Sequence, residues 1–149
     1  MSIILKRATA KDVHAFLDIE QSIHEIRTYS AMTDPKEVLE EIEKGVVYLI
    51  LEDEQIVGSV VYLMKTPEHA HIDGLIVRPE FQNRGIGTAA MVKVLEELKN
   101  VKLVDLVTHP DNERAIKLYE SLGFTIGERI ENYFGDGEPR IVMTLKHEK

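Results

Sequence analysis

The stretch that most constrains this chain is residues 77–88, Val-Arg-Pro-Glu-Phe-Gln-Asn-Arg-Gly-Ile-Gly-Thr. An apolar run ends at Val77, a proline-started turn follows, and two glycines spaced by one residue lead into a run of helical period. The pattern predicts a strand, a turn and a helix N-terminus with little side chain in the way. The first turn of a helix carries backbone N–H groups without intrahelical partners, and the dipole there favours negative charge. Gly85 and Gly87 permit close backbone approach, and the Arg84 guanidinium can add a charge-assisted bond. The stretch therefore suits a phosphate group, although an ordinary strand-to-helix turn would read the same way in isolation. It lacks the Gly-Lys-Ser/Thr ending that positions nucleotide phosphates and Mg²⁺, which argues against a nucleotide-phosphate enzyme.

Length and charge narrow the class. The 149 residues predict one domain, 1–149, with a real core. Asp and Glu outnumber Lys and Arg 26 to 18, a net charge of −8. Nucleic-acid binding relies on a basic surface, so it is not expected. The acidity leaves room for a cationic partner such as an amine, and also serves solubility. No apolar run is long enough to span a membrane, and the N-terminus does not read as a signal peptide. Without Cys there is no disulfide framework, thiolate metal site or cysteine nucleophile. The six His lack metal-ligand spacing, so no metal is expected. A cytoplasmic monomer or homodimer is the expectation.

Along the chain, residues 3–7 predict a strand. Thr9 caps the next helix, with Asp12 in its first turn and Val13, Phe16 and Leu17 on one face that Ile23 continues. The segment 22–32 mixes His24, Arg27, Tyr29 and Met32 and fits either a cleft-lining loop or a plain connection. Asp34-Pro35-Lys36-Glu37 is a helix start and Gly45 its end. Strands follow at 46–51 and 56–64, where Gly58 marks a bulge or a close contact. In residues 69–77, Asp73-Gly74 interrupts an apolar strand, as a bulge that opens the sheet would. A helix at 88–99 is read from Met91, Val94, Leu95 and Leu98, and a strand at 101–108. Asn112 then leads into a helix with Ala115, Leu118, Tyr119 and Leu122 on one face, closed by Gly123. Two last strands, 124–130 and 140–145, flank a tight turn at 135–137. The order β-α-α-β-β-β-α-β-α-β-β implies a mixed α/β fold whose central sheet is covered on both faces by helices.

Three elements carry a resemblance. Gln82, Gly85 and Gly87 meet the pattern Gln/Arg-x-x-Gly-x-Gly/Ala. Asn112 stands before the next helix. Ala115, Ile116, Leu118, Tyr119, Gly123 and Phe124 meet the signature Ala-Ile-x-Leu-Tyr-x-x-x-Gly-Phe. Together they resemble the GNAT superfamily of acyl-CoA-dependent N-acyltransferases, and the element order agrees over nearly the whole chain. Asn132-Tyr133-Phe134-Gly135-Asp136-Gly137-Glu138 is similar to the aromatic pair and acidic hairpin of the ribosomal-protein-alanine and protein N-terminal acetyltransferase branch. That branch has Tyr-Tyr, and Asp-Ala after the Glu, where this chain has Tyr133-Phe134 and Pro139-Arg140.

The resemblance implies a GNAT-like splayed sheet and acetyl-CoA (coenzyme A) as cofactor. The pyrophosphate is assigned to the turn Gln82, Asn83, Arg84, Gly85, Ile86, Gly87 and Thr88. The pantetheine arm is assigned to the main chain at Ile76 and Val77, and its thioester end to Asn112, Ala115 and Tyr119. It also implies that the Tyr119 phenol, protonated at neutral pH, gives a proton to the departing thiolate. The acceptor amine must be deprotonated, and here the branch's glutamate is replaced by Val107. By type, His109, His71, Asp73 and Glu25 are substitutes; His71 and Asp73 share a period-2 strand face. Tyr29 and Tyr133 are the expected acceptor side. The acceptor is a small-molecule or peptide amine, with a protein N-terminus placed ahead of a polyamine or antibiotic. The rival reading, a non-catalytic acyl-CoA-binding module, draws its support from Val107.

Overall fold

A computed structural model describes residues 2–23 and 31–147. Seven strands form one sheet: β1 (Ile3–Arg7), β2 (Val46–Glu52), β3 (Gln55–Thr66), β4 (His69–Val77), β5 (Leu103–Thr108), β6 (Thr125–Ile130) and β7 (Arg140–Lys146). Their spatial order is β1-β2-β3-β4-β5-β7-β6. Every pairing is antiparallel except β4 with β5, which is parallel. Helices α1 (Val13–Gln21) and α2 (Pro35–Lys44) precede β2, α3 (Ile86–Glu97) joins β4 to β5, and α4 (Glu113–Ser121) follows β5. The predicted order and the two-faced mixed sheet are both present.

The local signals explain the elements. Thr9 and Asp12 close a capping box at the single 3-10 turn that leads into α1, satisfying N–H groups the helix start leaves open. Asp34 accepts from the Lys36 N–H with Pro35 at the first position of α2. Alternation along the strands divides the core into two. Ile50, Val60, Ile72, Val104 and Leu106 pack beneath Ile86, Met91 and Val94 of α3 and Tyr119 of α4. Val47, Leu49 and Val61 meet Phe16 and Ile19 of α1 and Val38 and Ile42 of α2 on the other face. The sequence pattern starts α3 at residue 88; it begins at Ile86, because Gly85 already serves as its N-cap with φ 80°, a left-handed value that costs glycine little.

Two irregularities position the site. In the β3–β4 ladder Val61 pairs with Gly74 but Tyr62 pairs with Ile72, so Asp73 is the extra residue of a bulge. The bulge reverses side-chain parity. Ile72 belongs to the α3/α4 core, whereas Ile76, four residues on, belongs to the α1/α2 core. The parallel ladder with β5 is confined to His69–Ile72 against Leu103–Leu106, although β4 continues to Val77 and β5 to Thr108. Past the bulge the two strands part, and the β5-facing edge of β4 is released from the ladder.

On the other edge, β3 holds this segment tightly. A Cβ added to Gly58 would lie 2.2 Å from the Ile76 carbonyl oxygen and 3.1 Å from the Val77 Cα. Both are main-chain atoms, so relief requires moving the strand. Gly58→Ala is therefore expected to destabilise the fold by at least ~2 kcal/mol, read as a lower urea midpoint with unchanged slope. A midpoint equal to that of the parent would contradict the close β3–β4 approach.

Candidate active site

The parting of β4 and β5 opens a cleft of ≈ 1210 Å³. Its walls are the released segment of β4, the turn at 82–88, the end of β5 and α4, with α1 and the start of α2 at the far end. Of the residues assigned to the donor, Ile76, Val77, Gln82, Asn83, Gly85, Ile86, Gly87, Thr88, Asn112, Ala115 and Tyr119 all line it.

The turn is shaped for an anion. Asn83 (φ 67°) and Gly85 (φ 80°) are both left-handed, and successive turn N–H groups in such a conformation make an anion-binding concavity. The N–H groups of Ile86, Gly87 and Thr88 belong to the first turn of a helix of 12 residues and have no helical acceptor. Gln82 braces the turn, its Nε2 donating to the Val77 carbonyl at 2.9 Å. A Cβ at Gly87 would meet Leu118, Leu75 and Val77 at 3.4–3.8 Å, so the helix start packs directly between β4 and α4.

Arg84 departs from expectation. Its guanidinium pairs with Glu52 at 2.8 Å and lies over the Phe81 ring, and Arg84 is not among the residues lining the cleft. The expected guanidinium bond to phosphate is thus directed elsewhere, leaving Arg84 its backbone N–H. The cationic side chains at this end are Arg114 and Lys117 of α4, with Arg114 also donating to Gln82 Oε1 at 3.2 Å. Sequence reading passed over both, since basic residues on a helix usually face solvent. Their three-residue spacing on one face of α4 was the available signal.

Asn112 is the N-cap of α4, accepting from the Ala115 N–H at 3.3 Å, and lines the cleft as well. The buried Tyr119 packs edge-on against Phe124 with ring centroids 5.8 Å apart. His109 is 2 % exposed; its Nδ1 accepts from the Asp111 N–H at 3.0 Å, and its Nε2 meets Glu138 Oε1 at 2.7 Å. That assigns the ring proton to Nε2 and directs it at the hairpin. Arg140, equally buried, bonds Asp136 Oδ2 at 3.1 Å and lies against the Phe134 ring. The hairpin places Phe134, not Tyr133, among the lining residues. Tyr133 instead stacks edge-on with Phe134 at 4.7 Å. Tyr29 and Glu25 lie outside the described residues.

At the acceptor end, Asp73 lines the cleft and His71 does not. His71 Nδ1 is 2.7 Å from Asp105 Oδ1, and its Nε2 is 3.9 Å from Asp73 Oδ1. The residue that sequence reading missed is Glu20. It belongs to the buried face of α1 with Phe16 and Ile19, is 5 % exposed, and lines the cleft. It accepts the Met32 N–H, while its Oε2 has no hydrogen-bond partner among the described residues. Burial, reinforced by the nearby Asp73 carboxylate, raises its pKa to about 7. A glutamate within an apolar helical stripe was the signal available in the sequence.

The model of the Acetyltransferase (GNAT) family matches residues 13–124. The N-terminal acetyltransferase B complex catalytic subunit NAT3 of Saccharomyces cerevisiae is 33% identical over 88 residues, 55% of this chain and 45% of that protein. The [Ribosomal protein bS18]-alanine N-acetyltransferase of Escherichia coli is 35% identical over 83 residues, 52% of this chain and 56% of that one. The match thus spans about half the length of these curated relatives. A GNAT family acetyltransferase from Elizabethkingia anophelis, solved with acetyl-CoA bound, superposes with a TM-score of 0.77 at 22% identity over 97% of each chain.

The buried carboxyl has a thermodynamic signature. Glu20 holds its proton in the folded chain between pH 4.5, its ordinary value, and about 7. Its contribution to stability is therefore fully present below 4.5 and lost as pH rises through 7, on the order of 3 kcal/mol in all. Glu20→Gln is expected to flatten the fall in melting temperature between these pH values and to stabilise the protein at pH 8. An unchanged pH profile would place Glu20 in water. By the family match over most of its length, and by a fold shared with solved members, the chain belongs to the GNAT family of acetyltransferases.

Proposed function

We propose that this acetyltransferase is an acetyl-CoA-dependent N-acetyltransferase that moves an acetyl group directly onto a primary amine within a ternary complex. The observation that carries the reading is one continuous cleft joining an anion-binding turn, a released strand edge and Tyr119 to a buried carboxyl of raised pKa.

The residues fit the donor. The turn N–H groups of residues 84–88, with Arg114 and Lys117, suit its phosphates. The free edge of β4 at Ile76 and Val77 offers strand-type pairing to an extended amide-bearing arm. Acetyl-CoA supplies the acyl group as a thioester. At the far end Glu20 Oε2 takes a proton from the acceptor ammonium, leaving the nitrogen lone pair free to attack. A carboxyl titrating near working pH suits that task better than an ordinary one. As the N–C bond formed and the C–S bond broke, the Tyr119 hydroxyl would give its proton to the sulfur; the second proton of the attacking nitrogen would leave to water and the phenolate would regain one from water, so the only net proton released is the one first taken by Glu20. The named relatives act on protein N-termini, which supports a peptide α-amine as one acceptor source. Such an amine, with reference pKa near 8, is easier to neutralise than a lysine near 10.4.

A second reading has its own observation. Val107 lines the cleft where the ribosomal-alanine branch carries a glutamate, so a module that binds acetyl-CoA without transfer is the alternative. Thiol release from acetyl-CoA with a panel of primary amines separates the two. Transfer predicts amine-dependent release, with Tyr119→Phe lowering kcat roughly a hundredfold while cofactor affinity stays within about threefold. In Glu20→Gln, the acidic limb of kcat/KM near pH 7 should disappear. Cofactor binding with no release in the presence of any amine would favour the non-catalytic module.

A further inference from the structure

Carboxylates gather at the acceptor end of the cleft. Glu20 of α1 and Asp73 of the β4 bulge line it, and Glu41 of α2 is hydrogen-bonded to Asp73. Beyond them lies a second, smaller cavity of ≈ 270 Å³. It shares Met32 and Glu37 with the cleft and is otherwise lined by Glu40, Glu41, Lys44, Gly45 and Leu63. Two adjacent hollows therefore carry acid groups, and the first contains a carboxyl oxygen that is buried and unpartnered among the described residues. Among the described residues, the cationic groups nearby do not neutralise them. Lys44 meets only the outer Glu40, at 3.7 Å with both side chains mostly exposed, a pairing worth little. Lys65 acts on Glu41 more weakly than burial and the two neighbouring carboxylates do. His71 is committed to Asp105 at 2.7 Å. Among the described residues no set of three or more His, Asp or Glu is disposed to hold a metal ion.

We propose that the acceptor carries two positive charges on one molecule. Its reacting amine meets Glu20 in the cleft, and a second cationic group is received between Glu37, Glu40 and Glu41 in the adjoining cavity. This rests on the acetyl-transfer reading above and names the class of its acceptor: a dicationic amine, whether a linear diamine or a peptide whose α-amine is followed by a basic side chain. The buried Glu20 and the partly buried Glu41 beside Asp73 are costly as carboxylates and a cation placed among them removes that cost, while Glu37 and Glu40, which are exposed, add attraction from the rim. The same electrostatics rejects a peptide with an acidic residue beside its α-amine, by like-charge repulsion.

Protonation supplies a marker. Burial and the Asp73 contact push Glu41 up to about 8, and Glu20 stands at about 7. Near neutral pH Glu41 is mostly protonated and Glu20 partly so, and a bound dication expels those protons, so binding releases protons and strengthens as pH rises from about 6 to 8.

The test uses the whole chain with a saturating acetyl-CoA analogue that cannot transfer. Calorimetry in buffers of different ionisation enthalpy measures binding of linear diamines, matched monoamines, and peptides beginning Ala-Lys or Ala-Glu. The dications are expected to bind at least ~10-fold more tightly than the monoamines, with proton release. In Glu41→Gln and Glu37→Gln the preference should fall toward one and the proton release shrink, with melting temperatures reported alongside to verify folding. Diamines favoured over Ala-Lys peptides identify a small polyamine; the reverse identifies a basic N-terminus. Equal binding of monoamines and dications, preference for Ala-Glu, or no binding of any dication overturns the proposal. Selective dication binding without acetylation in the companion thiol assay upholds it and overturns the transferase reading. Acetylation of monoamines with no dication preference does the opposite.

Discussion

The bulge at Asp73 is the constraint on which the rest depends. A parallel pair of strands holds together only while both ladders stay in register. The extra residue in β4 changes its parity and direction just where pairing with β5 ends at Ile72 and Leu106. One local insertion produces three consequences. It exposes an unpaired main-chain edge over the last turns of β4. It moves Ile76 into the α1/α2 core and leaves Leu75 and Val77 against the α3/α4 core. It also sets the Asp73 carboxyl at the mouth facing α1 and α2. β3 holds the strand against this distortion, and only a glycine at position 58 permits that approach.

The cleft so made is electrically polarised. At one end lie the left-handed turn, the N-terminus of α3 and the side chains of Arg114 and Lys117; at the other lie Glu20, Asp73 and Glu37. An anionic donor and a cationic acceptor entering from opposite ends would each meet complementary charge, which aids encounter and orders the two reactants. Asn112 and Tyr119 of α4 and the start of that helix stand between. The hairpin is braced separately, through His109–Glu138 and Arg140–Asp136. Those pairs, each with a buried cationic or imidazole partner, hold Phe134 against the cleft.

What the sequence made legible was local. Capping at Thr9 and Asp34, the close approach at Gly58, the bulge at Asp73-Gly74 and the helix entry at Gly85 each rest on residues within a few positions of one another. The cleft wall from Gln82 to Tyr119 was legible because its shape is largely a main-chain matter, written in glycines and an asparagine cap. What it concealed was long-range. Arg84 is drawn to Glu52 across the hairpin between β2 and β3, a partner no local pattern announces. Glu20 becomes a functional candidate only when α1 packs over the splayed sheet. The choice between Tyr133 and Phe134 is made by the turn, where Asn132, Gly135 and Gly137 are all left-handed. Alternation along a strand cannot foresee such a turn.

The central claim is that the splayed edge of β4 and the N-terminus of α3 together form the donor track. Amide hydrogen exchange with and without acetyl-CoA measures this directly. Protection should rise at alternate amides of residues 74–77, those facing β5, and at residues 85–88, with β1 and β2 unaffected. Unaltered exchange over both segments, with binding verified by an independent titration, would contradict the account.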